Sequence, residues 1–183
     1  MLLTLILIFF GINDLYKWSL VEKVVKDHLL QVKAPYLNVV FFTIRIIFYF
    51  IIWNSISKYF YKESVNQDSN GNPNITLNLQ KKSALSMVLY ALTLTFFSID
   101  VLMSLTPHWY STIFGIYIFS GCIVVALAVV SIILMIFRTK GILKDIVTVE
   151  HFHDLGKLLY GFNIFWSYIA FCQFFLIWYA NIP

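Results

Sequence analysis

The sequence predicts an all-α protein, a polytopic transmembrane helix bundle with four complete spans and a partial N-terminal one, in a single transmembrane domain over residues 1–183. Two observations carry that prediction. Hydrophobic residues make up 60% of the chain and charged residues only 12%, with a mean hydropathy of +0.81, outside the range of soluble globular domains. The lysines also fall between apolar runs long enough to cross a hydrocarbon core, which takes about 20 residues per helix. A formal charge of +4 is modest, and its lysines lie as loop charges do, which does not suggest nucleic-acid binding. Cys122 and Cys172 sit inside apolar runs without CxxC or CxxCH spacing, so no disulfide framework, zinc site or covalent haem attachment is indicated.

The elements follow in order. Residues 1–12 are apolar but span only about 18 Å as a helix, too short for the hydrocarbon core. No basic n-region precedes the run and no small-x-small cleavage pattern follows it, which argues against a signal peptide. It reads as the end of a helix whose beginning is missing. Residues 13–35 mix charges with Trp18, Leu20, Val24 and Val25, a pattern that suits an interfacial helix. The first complete span runs over about 36–61. A polar stretch over 62–80, with Gly71 and Pro73, reads as a disordered cytoplasmic loop. Further spans are expected at about 83–104, 109–137 and 157–180.

Orientation comes from counting cationic side chains on each side. Lys17, Lys23, Lys26 and Lys33 share a side with the 104–108 turn and the C-terminus. Lys58, Lys62, Lys81, Lys82, Arg138, Lys140, Lys144 and Lys157 share the other. The second side is expected to be cytoplasmic. Trp109, Tyr110, Trp178 and Tyr179 then form an outer aromatic belt.

Polar faces come next. Ser83, Ser86, Tyr90, Thr93, Phe97, Asp100 and Ser104 recur at steps of three and four, within about a 100° arc of one helix. The last span carries a looser stripe in His153, Gly156, Tyr160, Asn163, Ser167, Ala170 and Gln173. The first complete span places Asn38, Arg45 and Tyr49 on one side, and the fourth offers small residues, Gly115, Cys122 and Ala126, suited to close helix packing. Such stripes serve either as interhelical hydrogen bonding or as a pathway, and the sequence leaves both open. Ionisable residues inside spans are expensive and point to function. Arg45 and Asp100 both fall in the outer half of their helices, so they are expected to form a buried ion pair. That pair is either a functional site or a structural clamp, since buried charges must be matched in either case.

His108 follows Pro107, which is expected to open the next helix as its first residue. An imidazole at a helix N-terminus is held neutral by the dipole. A neutral His takes a proton from a hydroxyl or hydrogen-bonds a carbonyl, the two tasks of a quinol site. The alternative is an interfacial His anchoring a turn beside Trp109 and Tyr110. In the run EHFHDLGK, residues 150–157, His151 and His153 are two apart, a poor spacing for chelation from one helix face. His153 and Asp154 read as the capped start of a helix, with His153 and Lys157 placed to pass protons. All four histidines lie at span ends or in loops, so no mid-membrane pair holds a haem.

The stretch SIDVLMSLTPHWYSTIFG (98–115), the long apolar helix after it, and EHFHDLGKLLYGFNIFWSYIAFCQFFLIWYANIP (150–183) resemble the membrane subunit of alternative complex III. They resemble in particular its second quinone-interacting subunit, of the polysulphide-reductase (NrfD-like) superfamily. NDLYKWS and the PYLN…R…YF…W run, with Arg45, Tyr49 and Trp53, are consistent with it. The resemblance covers nearly the whole chain and implies an NrfD-like helix bundle in the bacterial inner membrane, within a menaquinol:cytochrome c oxidoreductase. It also implies partners: a homologous membrane subunit, multihaem and monohaem cytochrome subunits, and an iron–sulfur subunit holding the redox chain. No haem, iron–sulfur or metal ligands are expected in this chain, and menaquinone is the expected ligand. Members of the family continue through further helices on both sides, so the chain reads as a central fragment.

The expected function is that of a membrane subunit of a respiratory quinol oxidoreductase. It would contribute an outer quinone or proton site at Arg45, Asp100, His108 and Tyr110. An inner proton route is expected along Ser83, Ser86, Tyr90 and Thr93, continuing through His153, Asp154, Lys157, Tyr160, Asn163 and Ser167. The alternatives are a non-catalytic scaffold subunit of that complex and an ion-translocating subunit of another NrfD-like complex.

Overall fold

The computed structural model describes residues 8–143 and 146–181. Most of the expected partial helix over 1–12, and Lys144 of the charge count, lie outside the described residues. The chain is all-α. Among the described residues four helices are long and apolar enough to cross a membrane, Val39–Asn70, Pro73–Leu105, Phe114–Thr139 and Val149–Tyr179, so this is a multi-pass membrane protein. Its contacts divide it at Ser111 and Thr112 into two compact units.

The first unit opens with short pieces: α1 (Ile12–Leu15), a 3-10 turn at Lys17–Ser19, α2 (Val21–Lys26) and α3 (His28–Lys33). The expected interfacial helix is therefore broken into turns, because its apolar residues have no single helical period. Val25 stays exposed, whereas Tyr16, Trp18 and Leu30 turn inward and are buried. They pack with Phe42, Ile46, Tyr49 and Val101 into the unit's core. Tyr16, Trp18 and Phe42 form an aromatic cluster with ring centroids 5.0–5.4 Å apart.

Two long helices follow, α4 (Val39–Asn70) and α5 (Pro73–Val101). Asn38, expected on the polar side of its span, is instead the N-cap of α4, its Oδ1 accepting the Phe41 amide at 2.8 Å. The polar stretch 62–80 is not a disordered loop. Helix α4 continues through it to Asn70, and Gly71 takes a left-handed φ of 62° as its C-terminal cap. Asn72 caps α5 through the Asn74 amide, with Pro73 in its first turn. Gly71 and Pro73 thus punctuate a tight turn, and the polar residues around them extend the helices. Trp53 Nε1 donates to Thr93 Oγ1 at 2.9 Å, and the Trp53 and Phe97 rings meet at 5.1 Å, joining the two helices. After α5 the chain makes a 3-10 turn at Met103–Leu105.

The second unit pairs α6 (Phe114–Thr139) with α7 (Val149–Tyr179). Tyr117 stacks on Trp166 with centroids 5.7 Å apart. A Cβ on Gly121 would stand 3.1 Å from Trp166 Nε1, so glycine permits this approach. Helix α7 starts eight residues before the expected 157. Its N-cap is Thr148, whose amide donates to His151 Nδ1 at 3.1 Å. His153 and Asp154 therefore lie inside the helix rather than capping it.

A candidate ligand site beside a buried Arg–Asp pair

The site grows from the end of α5. Asp100 is fully buried, and α4 lays Arg45 against it: Nε donates to Oδ2 at 2.9 Å and a terminal nitrogen to Oδ1 at 3.1 Å. The expected ion pair exists. Two phenols complete it, Tyr36 donating to Oδ1 and Tyr49 to Oδ2, each at 2.8 Å. Arg45 also donates to the Tyr36 carbonyl at 3.0 Å and lies over the Tyr36 and Phe41 rings at 3.9 and 4.3 Å. Each guanidinium nitrogen and each carboxylate oxygen of the buried pair has a protein partner, which is the condition for holding such charges away from water. Ser104 donates to the Asp100 carbonyl, and Tyr16 to the Val101 carbonyl at 3.0 Å.

A cavity of about 490 Å³ adjoins this network. It is lined by Leu29, Val32, Lys33, Tyr36, Leu37, Ile99, Met103, Ser104, Pro107, His108, Trp109 and Tyr110. Its walls are largely apolar, with a few polar groups converging, as in small-molecule sites. Asp100 does not line it. The buried pair reaches the cavity through Tyr36, which bonds Asp100 and also forms part of the wall. Burial, the hydrogen bond to Asp100 and its charge together push the Tyr36 phenol up to about 12, against an opposing pull from Arg45. Burial, with the Asp100 charge second, pushes Tyr16 to about 12 as well.

His108 does not open a helix. Pro107 lies buried in the turn, and α6 starts only at Phe114, so the imidazole does not sit at the N-terminus of that helix. Its Nε2 meets Asp27 Oδ2 at 2.7 Å. Tyr110 is 77% exposed, and the Lys33 ammonium approaches its ring at 6.0 Å. Arg45, Asp100, His108 and Tyr110 are thus gathered at one end of the first unit. Asp27, Lys33 and Tyr36 join them without having been singled out in the sequence.

The inner candidates fare differently. Only the Asp100 half of the α5 stripe is buried. Thr93 Oγ1 donates to the Leu89 carbonyl at 2.8 Å while accepting from Trp53. Ser83 is exposed and donates back to the Gln80 carbonyl. Ser83, Ser86 and Tyr90 line a small hollow of about 200 Å³. His153, Asp154, Lys157, Tyr160, Asn163 and Ser167 are all exposed on α7, in the other unit. Asp154 and Lys157 form a surface pair at 3.3 Å. A cavity of about 540 Å³ in that unit is lined by Gly121, Val125, Trp166 and similar apolar neighbours, with little to orient a polar ligand. No protein-family model matches the chain, and neither does any curated protein sequence.

Proposed function

We propose that this chain is a membrane subunit of a menaquinol-oxidising respiratory complex of the alternative complex III type, in the bacterial inner membrane. Its cavity beside Tyr36 and His108 receives the quinol headgroup. One observation carries the reading: an apolar cavity large enough for a ring system is walled by a phenol anchored on a buried ion pair and by an imidazole. The phenol of Tyr36 and the imidazole of His108 supply hydrogen-bonding partners for the two oxygens of such a ring, and the Arg45–Asp100 pair keeps Tyr36 in place. The motifs around Asp100–His108 and residues 150–157 support the assignment. So does the lysine asymmetry, which puts the 104–108 turn and the C-terminus on the periplasmic side. The electron carriers then reside on the partners, namely multihaem and monohaem cytochromes, an iron–sulfur subunit and a homologous membrane subunit.

A second reading, a scaffold role, draws on α7. Its exposed Tyr160, Asn163 and Ser167 follow helical spacing and suit a neighbouring polar helix better than lipid.

The two separate on photolabelling of the assembled complex in native membranes with an azido-naphthoquinone. The site reading expects label on residues 29–37 and 99–110, displaced by excess menaquinone. Label absent from both segments at saturating probe removes the quinone site from this subunit and leaves the scaffold.

A further inference from the structure

Resting on the quinol reading, we propose that His108 and Asp27 form a proton-accepting dyad at the edge of the cavity, with His108 as the base and Asp27 as the positioning residue that sets its tautomer. His108 Nε2 stands 2.7 Å from Asp27 Oδ2. A carboxylate only accepts, so the imidazole hydrogen belongs on Nε2 and Nδ1 presents a lone pair.

Local structure explains why Asp27 is held in place. It is the N-cap of α3, in extended backbone, and its Oδ1 accepts the Leu29 amide at 3.0 Å. The cap occupies one oxygen and leaves the other for His108. Lys33, at the far end of the same helix, donates to the Pro107 carbonyl at 2.5 Å. Helix α3 is therefore tied twice to the turn, once at His108 and once at the residue before it. A contact between side chains 59% and 26% exposed adds little to folding, which leaves room for another role. Exposure also gives the imidazolium a way to release its proton to water, while His108 still lines the cavity.

The step balances without further reagents. With a hydroquinone hydroxyl at Nδ1, the O–H bond breaks, the proton passes to Nδ1, and the electron pair stays on the oxygen. Asp27 supplies the counter-charge for the imidazolium.

Two substitutions at Asp27 test the tautomer argument while sparing the fold, because Asn and Ser are both good N-caps. In Asp27→Asn the cap oxygen is kept and an amide N–H₂ faces His108. The ring must then offer Nε2 as acceptor and carry its hydrogen on Nδ1, where no proton can be taken. In Asp27→Ser the ring loses its partner and either tautomer is open to it. The measurement is oxidation of a short-chain naphthohydroquinone by the assembled complex in native membranes. Asp27→Asn and His108→Gln should each lower kcat about 100-fold with KM within about twofold, and Asp27→Ser only about tenfold. A kcat unchanged in Asp27→Asn and His108→Gln, or equal losses in Asp27→Asn and Asp27→Ser, overturns the dyad. Photolabel present with kcat unmoved removes the dyad alone, whereas label absent from the wild-type subunit removes the quinol reading and the dyad with it.

Discussion

Arg45 and Asp100 show how much a single buried pair demands of its neighbours. The carboxylate takes four side-chain hydrogen bonds, two from Arg45 and one each from Tyr36 and Tyr49. Removing one partner leaves a charge in the core. Arg45→Met should therefore lower the stability of the first unit by about 3–5 kcal/mol, and the double change Arg45→Met with Asp100→Leu should lower it by less. Denaturation of the detergent-solubilised protein checks both, and a double variant no better than the single one would contradict this account. Two phenols set a pH limit. Tyr16 and Tyr36 are both pushed from an ordinary 10 to about 12. Between those values the native state keeps protons that the unfolded state has released, so stability falls as pH rises from 10 towards 12. The unfolding midpoint should drop across that window, and Tyr36→Phe should soften the drop.

Individual helices are governed by a few backbone positions. Gly71 has φ 62° and open space around its Cα, so the cost of a side chain there is conformational rather than steric. Gly71→Val should destabilise the α4–α5 hairpin by about 1 kcal/mol, and Gly71→Asn by clearly less, since Asn tolerates that region. Gly121 is the reverse case, with ordinary helical backbone and no room. Gly121→Leu drives into Trp166 and should cost about 1–3 kcal/mol, with a change in Trp166 fluorescence. Gly161, where an added Cβ meets nothing, should accept Ala without loss. Equal effects at Gly121 and Gly161 would contradict the packing described for α6 and α7.

Across the whole molecule, hydropathy accounts for the four long helices, and lysine asymmetry for the expected orientation. Cysteines placed at Asp68 and Thr106, in a background lacking Cys122 and Cys172, should be labelled from opposite sides by a membrane-impermeant maleimide. Labelling of both from one side would refute the topology. The helix ends were less legible. Polar residues over 62–80 suit a solvated helix as well as a loop, and only the cap geometry at Gly71 and Asn72 distinguishes the two.

Composition and periodicity alone determined that the chain is helical and membrane-spanning, because twenty apolar residues in a row leave the backbone few other ways to satisfy itself in lipid. They also singled out Arg45 and Asp100 as partners, since two charges at one depth need each other. Asp27, Lys33 and Tyr36 escaped that reading for a physical reason: they lie in short pieces and turns before α4, where helical period places nothing. Only the tertiary structure, by folding residues 16–37 back onto α4 and the end of α5, decided that Tyr36 anchors on Asp100 and that His108 meets Asp27 instead of opening α6.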